Sequence, residues 1–187
     1  MKLLKVPYEK PQDIFSLYEP KPEIVKLSEN AESPYDLITE ASKNSLFSDV
    51  IIFLAHGLPV REAVWWAANC ASSRTDWNEH EQNAIRAAKA WVHTPDETSR
   101  RFAEEMVKLA GLESGAGWAA QAAFWSGGSM IEASAPIVAP PAYIYSQAVA
   151  GCINLTAVLP DASQAIERYK TYLDIGINIA FGGNGQS

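Results

Sequence analysis

The sequence predicts an all-α protein: a single-domain bundle of about eight helices with an extended, proline-rich N-terminal arm. Three observations support this fold class. Apolar residues recur with helical spacing after residue 33, and no segment alternates strictly enough to be a strand. Residues that start and stop helices separate these periodic segments. Hydrophobic residues make up 48% of the 187-residue chain, which suits one packed domain.

Residues 1–33 are predicted to form the arm, because four prolines interrupt them and proline disrupts the interior of a helix. These prolines are Pro7, Pro11, Pro20 and Pro22. A short strand or helical turn is expected near residues 14–18. The arm is interpreted either as a strap on the body of the protein or as a segment that docks a partner. Residues 34–181 form the predicted helical domain, and residues 182–187 a flexible tail.

Helix start and stop signals place the elements of this domain. Ser33 and Pro34 open the first helix, and Asp76 with Glu79 is interpreted as a capping box for the fourth. Asp161 and Gln164 open the eighth. The predicted helices cover residues 34–43, 46–56, 59–72, 76–93, 94–110, 116–126, 142–159 and 161–181, with a loop over 127–141.

Apolar patterning indicates which of these helices are buried. The sixth and seventh are apolar nearly all round, so they are expected at the centre of the bundle. The fifth is expected to be an outer helix, with Phe102 and Leu109 on its buried stripe and Arg100 on its solvent face.

Composition excludes several classes of partner. The net charge of −7 disfavours nucleic acid and anionic membranes. Residues 133–160 carry no charge, but prolines and several polar side chains favour a buried helix over a membrane span. Cys70 and Cys152 are too few for a disulfide framework and are expected to be buried. No apolar segment of a signal peptide follows the N-terminus, so a cytoplasmic location is expected.

Short motifs do not identify a reaction. The stretch "GAGWAA" at 115–120 matches a dinucleotide-binding pattern, but it lacks the preceding strand. His56, His80 and His93 do not form a metal-binding pair one helical turn apart. We therefore assign no catalytic residue and expect neither a cofactor nor a metal.

The stretch "HGLPVREAVWWAANCA" at 56–71 contains the candidate binding residues. On a helical wheel its small apolar residues form a core face, and Trp66 lies at the edge of that face. Trp65 instead lies on the polar side, and Arg61 one turn before it is placed for a cation–π contact. The candidate binding residues are His56, Arg61, Glu62, Trp65 and Asn69.

Two explanations account for a tryptophan on a polar face. A second helix or the arm covers Trp65, with Arg61 and Glu62 satisfied inside the fold. Alternatively, Trp65 and Arg61 anchor an open binding groove. His56, Arg61 and Glu62 can also be interpreted as an acid–base cluster, although no nucleophile or metal accompanies them.

The same stretch resembles the signature helix of a bacterial family of uncharacterised domains. In that family a histidine and Leu-Pro precede Arg-Glu-Ala, a Trp-Trp pair and a cysteine, and some members are encoded near type VI secretion genes. The matching positions are His56, Leu58, Pro59, Arg61, Glu62, Ala63, Trp65, Trp66 and Cys70. Gly57 stands where the family pattern has alanine. The resemblance implies an accessory, adaptor or chaperone-like role in a Gram-negative cytoplasm.

These observations leave three hypotheses about function. The first is a non-enzymatic adaptor that binds a protein partner, such as a secretion component or effector, through the 56–70 helix, the 127–141 loop or the arm. The loop is a candidate because it is long for a simple connection. The second is a small-molecule enzyme that uses His56, Arg61 and Glu62. The third is a homo-oligomeric structural subunit with Trp65 buried in the interface.

Overall fold

The computed structural model describes residues 1–185, and within this range it contains helices and no strand. The prediction of an all-α protein is confirmed. A 3₁₀ turn, Ala162–Gln164, leads into the last helix. The helices are α1 (Pro11–Phe15), α2 (Pro22–Ser28), α3 (Pro34–Lys43), α4 (Phe47–Gly57), α5 (Val60–Ser72), α6 (Glu79–His93), α7 (Glu97–Ala110), α8 (Gly115–Phe124), α9 (Ile144–Val158) and α10 (Ala165–Ala180).

The described chain thus has ten helices rather than about eight, and the two additional ones lie in the arm. The extended arm is therefore only partly observed. The sequence predicts that Pro11 and Pro22 break helices. In the structure, each of them instead occupies the first position of a helix. Proline is tolerated there because the first N–H groups of a helix have no intrahelical partner. The arm also packs on the body: Ile14 is fully buried, and a Cβ on Gly57 would lie 2.9 Å from its Cδ1.

Side-chain hydrogen bonds cap the N-termini of α3, α6 and α7, and the predicted cap of α6 needs a correction. Ser33 caps α3 by accepting a hydrogen bond from the Asp36 amide, as predicted. The capping box of α6 is formed by Asn78 and Glu81 instead of Asp76 and Glu79. Both patterns have the right spacing, but Asp76 pairs with Arg74 and so does not cap the helix.

Helix α9 lies at the centre of the bundle, where it contacts α4, α5, α8 and α10. Helices α8 and α9 contact each other so closely that a Cβ on Gly115 would collide with Thr156 and the Cys152 carbonyl. Gly117 is equally restricted by the Gly111 carbonyl. Both glycines of "GAGWAA" therefore have packing roles. Within residues 1–185, no helix is long and apolar enough to cross a membrane.

Both cysteines are buried and unpaired, as expected from their small and apolar neighbours. Burial raises the pKa of the Cys152 thiol to about 12 and also raises the pKa of the Cys70 thiol. Both side chains therefore act as small apolar residues in the core.

The predicted orientation of α7 is wrong in part. Arg100 is buried, whereas Phe102 and Leu109 are 44% and 55% exposed. Ala103, from the predicted apolar stripe, is fully buried. The helix is thus rotated so that Arg100 faces the protein, where backbone carbonyl groups accept its hydrogen bonds.

Helix α10 is held against α5 by Trp66, the largest fully buried side chain. The indole Nε1 donates to the Tyr172 carbonyl at 2.7 Å. One turn later, the ring packs on Gly176, where a Cβ would lie 2.5 Å from Trp66 Cε2. The tryptophan that we placed at the edge of the core face is therefore fully inside it.

We predict that Gly176→Ala lowers the free energy of unfolding by up to about 2 kcal/mol, measured by urea denaturation. Overpacking against the fixed indole costs about 1–3 kcal/mol, and the gain in helix propensity offsets about 1 kcal/mol. Gly151→Ala is the matched control in α9, because its Cβ would meet only Trp118 at 3.6 Å. It should leave stability unchanged or raise it by up to about 1 kcal/mol. Equal effects of the two variants would contradict the packing of Trp66 on Gly176.

Candidate functional site

Arg61 and Glu62 each have a partner within the protein. Arg61 Nε donates to the Val92 carbonyl at 2.7 Å, so the exposed guanidinium caps the carboxyl end of α6. Glu62 forms an ion pair of 3.3 Å with Lys5 of the arm. Neither residue contacts the other through a hydrogen bond or ion pair in the described part of the chain. These two contacts connect α5 to α6 and to the arm.

Trp65 is half-buried, and the C-terminal segment lies over it. Its Nε1 donates to the Asn184 carbonyl at 2.8 Å. The cation near its ring is Lys89, at 5.7 Å from the ring centroid, and not Arg61 as the helical spacing suggested. His93 packs edge-on against the indole with centroids 5.4 Å apart. Trp65 is therefore covered by α6 and the C-terminal segment rather than by the arm.

Asn69 lies on the same side of α5 as Trp65, next to Gly185. A Cβ on Gly185 would lie 3.0 Å from Asn69 Nδ2. Gly185 also donates from its amide to Asn178 Oδ1 at 2.9 Å. Residues 182–185 of the predicted flexible tail are thus attached to α5 and α10, and residues 186–187 lie outside the described part of the chain.

His56 contacts a different set of residues from Arg61 and Glu62. Only 2% of its surface is exposed, and its ring stacks on Tyr18 with centroids 4.4 Å apart. Its Nδ1 lies 2.7 Å from the Ile52 carbonyl oxygen. Because a carbonyl oxygen can only accept, Nδ1 carries the proton of the neutral ring and Nε2 has a free lone pair. The structure therefore does not unite His56, Arg61 and Glu62 in one acid–base cluster.

His56 lines a cleft of about 400 Å³ between the arm, α4 and α9. Tyr18 and Glu19 come from the arm, Ile52 and His56 from α4, and Gln147, Ala150, Gly151 and Asn154 from α9. Among residues 1–185, six buried side-chain polar atoms lack a hydrogen-bond partner, and three of them belong to residues that line this cleft. These three atoms are Tyr18 Oη, His56 Nε2 and Asn154 Oδ1.

This cleft is distinguished by three lining residues that each carry an unpaired buried polar atom. An unpaired buried polar atom costs about 1–3 kcal/mol relative to a paired one. Burial lowers the pKa of His56, against the opposing effect of its bond to the Ile52 carbonyl. Burial also raises the pKa of Tyr18, and the charge of Asp49 adds to that shift. Both side chains are therefore uncharged at neutral pH.

Sequence reasoning found His56 but missed Tyr18 and Asn154. Asn154 did carry a signal, because it is a polar residue in a helix that is otherwise apolar and central. In the sequence, the polarity of Asn154 serves only as an argument against a membrane span. Tyr18 lies in the arm, and its sequence neighbours give no indication that it stacks on a histidine of α4.

A second feature that the sequence did not indicate is the support of the loop between α8 and α9 by Arg100. Arg100 Nη1 donates to the Phe124 carbonyl at 2.9 Å, and Nη2 donates to the Ser129 carbonyl at 3.1 Å. It also pairs with Glu97 on the same helix, and this contact, together with that of Arg101, holds the pKa of the Glu97 carboxyl at about 2. The guanidinium thus ties together the end of α8 and the start of the loop.

The loop supported by Arg100 displays apolar side chains to solvent. The Met130 amide donates to the Val138 carbonyl at 2.8 Å, and the Val138 amide donates to Ser129 Oγ at 3.1 Å. These bonds fix the loop internally. Ile137 is nevertheless 82% exposed, and Ile131 and Val138 are exposed as well.

No group of three or more histidine, cysteine, aspartate or glutamate side chains within residues 1–185 is arranged to hold a metal ion. Residues 1–185 thus form an all-helical structure that includes the cleft at His56 and the apolar, internally fixed loop between α8 and α9. Residues 37–180 match the model of a family described as a family of unknown function, DUF6931. Since this match covers about three quarters of the chain, the protein belongs to that family.

The comparisons with curated proteins and with solved structures each gave no match. The family match includes His56 and Asn154, whereas Tyr18 and Glu19 precede it. The cleft therefore combines residues of the family domain with residues of the arm.

We predict that Tyr18→Phe raises the free energy of unfolding by about 1 kcal/mol, because it removes a buried hydroxyl that lacks a partner. Tyr145→Phe is the matched control, since the Tyr145 hydroxyl donates to the Leu58 carbonyl at 3.3 Å. That variant should lose about 0.5–1.5 kcal/mol. Chemical denaturation at neutral pH measures both, and a Tyr18→Phe protein less stable than wild type would refute the prediction.

The lowered pKa of His56 predicts a specific pH dependence of stability. As the pH falls below 6.5, the unfolded chain protonates this histidine before the folded protein does. The free energy of unfolding should therefore decrease with falling pH through this range until the folded-state pKa is reached. His56→Asn should reduce that decrease, and substitution of the exposed His80 by glutamine should retain it. A His56→Asn protein with the wild-type pH dependence would contradict a neutral, buried His56.

Proposed function

We propose that this protein is a non-enzymatic accessory or adaptor protein that binds a protein partner through the loop between α8 and α9. The observation that carries the proposal is the exposure of Ile137 in a loop whose backbone is fixed by Arg100 and Ser129. An exposed apolar side chain on a backbone that is already fixed requires less ordering of the loop on binding. Such a side chain is suited to anchor an interface.

The composition of the loop supports a partner with an apolar recess. Over residues 127–141 the only charged side chain is Glu132, in a protein whose net charge is −7. Ile131, Ile137 and Val138 provide apolar surface on this segment. Charge is depleted at the centres of protein interfaces relative to the remaining surface. The partner surface is therefore expected to be apolar and uncharged where it receives Ile137.

The 56–70 helix is a weaker candidate for the contact surface. Arg61, Glu62 and Trp65 already bind Val92, Lys5 and Asn184 within the protein. A partner would have to replace these contacts. We propose no enzymatic function, because His56, Arg61 and Glu62 face different neighbours.

The proposed cellular setting rests on the sequence resemblance alone. The helix signature at residues 56–70 resembles that of a bacterial domain family with some members encoded near type VI secretion genes. On this basis, we propose a component or effector of such a secretion system as the partner. The proposed location is the cytoplasm of a Gram-negative bacterium.

We predict that Ile137→Asp abolishes capture of the partner without loss of stability. The test is affinity purification of tagged protein from the native host, followed by mass spectrometry and by rebinding of the identified, purified partner. An aspartate in place of the anchor should weaken this binding at least about 100-fold, as expected for a central interface residue. Leu109→Asp is the matched control, because Leu109 is an exposed apolar residue on α7, and it should bind like wild type.

A second variant tests whether the fixed conformation of the loop matters. Arg100→Lys retains the charge but cannot bridge the Phe124 and Ser129 carbonyls with a planar fork. It should weaken binding of the partner although Ile137 is unchanged.

Wild-type affinity of Ile137→Asp would overturn the proposal. Loss of a concentration-dependent dimer in that variant, seen by light scattering, would show instead that a second copy occupies the loop.

A further inference from the structure

We propose that the cleft between the arm, α4 and α9 binds a small alkylammonium compound, whose N–H groups donate to His56 Nε2 and Asn154 Oδ1. This site is lined by no residue of the loop, so it does not depend on the proposed protein partner. The inference stands on the three unpaired buried atoms that the cleft brings together and on the charges around it.

The free atoms define the polarity of the ligand. His56 Nε2 is an acceptor, because Nδ1 uses the ring proton to bind the Ile52 carbonyl. Asn154 Oδ1 is also an acceptor, and the Tyr18 hydroxyl can accept as well as donate. A ligand that satisfies all three must therefore supply several N–H or O–H donors from one small group. A primary ammonium supplies three donors and needs no acceptor.

Charge around the cleft favours a cation over a neutral donor. The cleft is lined by the carboxylate of Glu19 and by no lysine or arginine. Asp49 is close enough to affect Tyr18 electrostatically, although it also pairs with Lys21 at 3.1 Å. A positive ligand would thus be attracted to the rim by Glu19 and then hydrogen-bonded at the floor.

Shape limits the size of the ligand and places its apolar part. The volume of about 400 Å³ lies in the range of small-molecule sites. Ile52, Ala150 and the backbone of Gly151 form an apolar wall on which a short alkyl chain can pack. The stacked rings of Tyr18 and His56 add an aromatic surface. These features fit a compact amine with a short hydrocarbon chain.

The test uses n-butylammonium chloride as probe and n-butanol as its neutral counterpart. The full-length protein is labelled with ¹³C-histidine, and the ring signals of His56, His80 and His93 are followed by NMR. Butylammonium should shift the His56 signal in a saturable manner and leave the signals of His80 and His93 in place. Butanol should shift the His56 signal at least about tenfold more weakly, because it has a single donor and no charge.

Two variants with matched controls test the assigned contacts. Asn154→Leu should weaken butylammonium binding about tenfold, and Asn30→Leu, at an exposed position, should not. Glu19→Gln should weaken it about two- to fivefold, and the exposed Glu29→Gln should not. The thermal unfolding of each variant verifies that it is folded before titration.

Three outcomes would overturn the inference. The first is an absence of saturable His56 shifts with butylammonium in the folded protein. The second is equal binding of butylammonium and butanol, which would reduce the cleft to an apolar pocket. The third is unchanged affinity in the folded Asn154→Leu protein. None of these results would affect the proposed role of Ile137, which is measured independently.

Discussion

The close approach of α8 to α9 at Gly115 is the constraint on which the arrangement of the bundle depends. With no side chain at that position, the backbone of α8 reaches Thr156 and the Cys152 carbonyl. Helix α9 is thereby held at the centre, with α5 and α4 packed on its other sides. The core around it is built largely from alanine, so helices lie close together and small changes in volume are poorly accommodated. This rigid centre gives the cleft and the loop fixed supports.

The two candidate functional features meet at the start of α9. The loop ends at Tyr143, which has a left-handed backbone conformation with φ of 60°. Such a conformation costs a non-glycine residue about 1–3 kcal/mol and persists only where neighbours enforce it. Here the Tyr143 hydroxyl lies 3.3 Å from that of Tyr8, and its ring lies 6.2 Å from His56. One residue thus connects the arm, the loop and the histidine of the cleft.

Local signals in the sequence predicted much of the fold. Ser33 and Pro34 mark the start of α3 because capping is decided by residues close in the chain. The buried cysteines and the apolar α8 and α9 were also predictable from composition. Arg100 was not, since its helical position suggests solvent exposure and only the distant Ser129 carbonyl explains its burial. The wheel likewise placed Arg61 beside Trp65, whereas tertiary contacts direct it to Val92.

The residues of the candidate cleft were even harder to predict from local signals in the sequence. His56 was recognisable as a notable residue, but its partners Tyr18 and Asn154 lie far from it in the sequence. Their shared lack of hydrogen-bond partners is a property of the packed molecule and cannot be derived from spacing. Pattern therefore indicated one member of the site, and geometry supplied the other two.

The proposed site requires a neutral His56, with its proton on Nδ1 and a free lone pair on Nε2. Two-bond ¹H–¹⁵N correlation spectra of the ligand-free protein at neutral pH test this claim directly. We expect the ¹⁵N shifts of His56 to identify a protonated Nδ1 and an unprotonated Nε2. A proton on Nε2, alone or together with one on Nδ1, would contradict it.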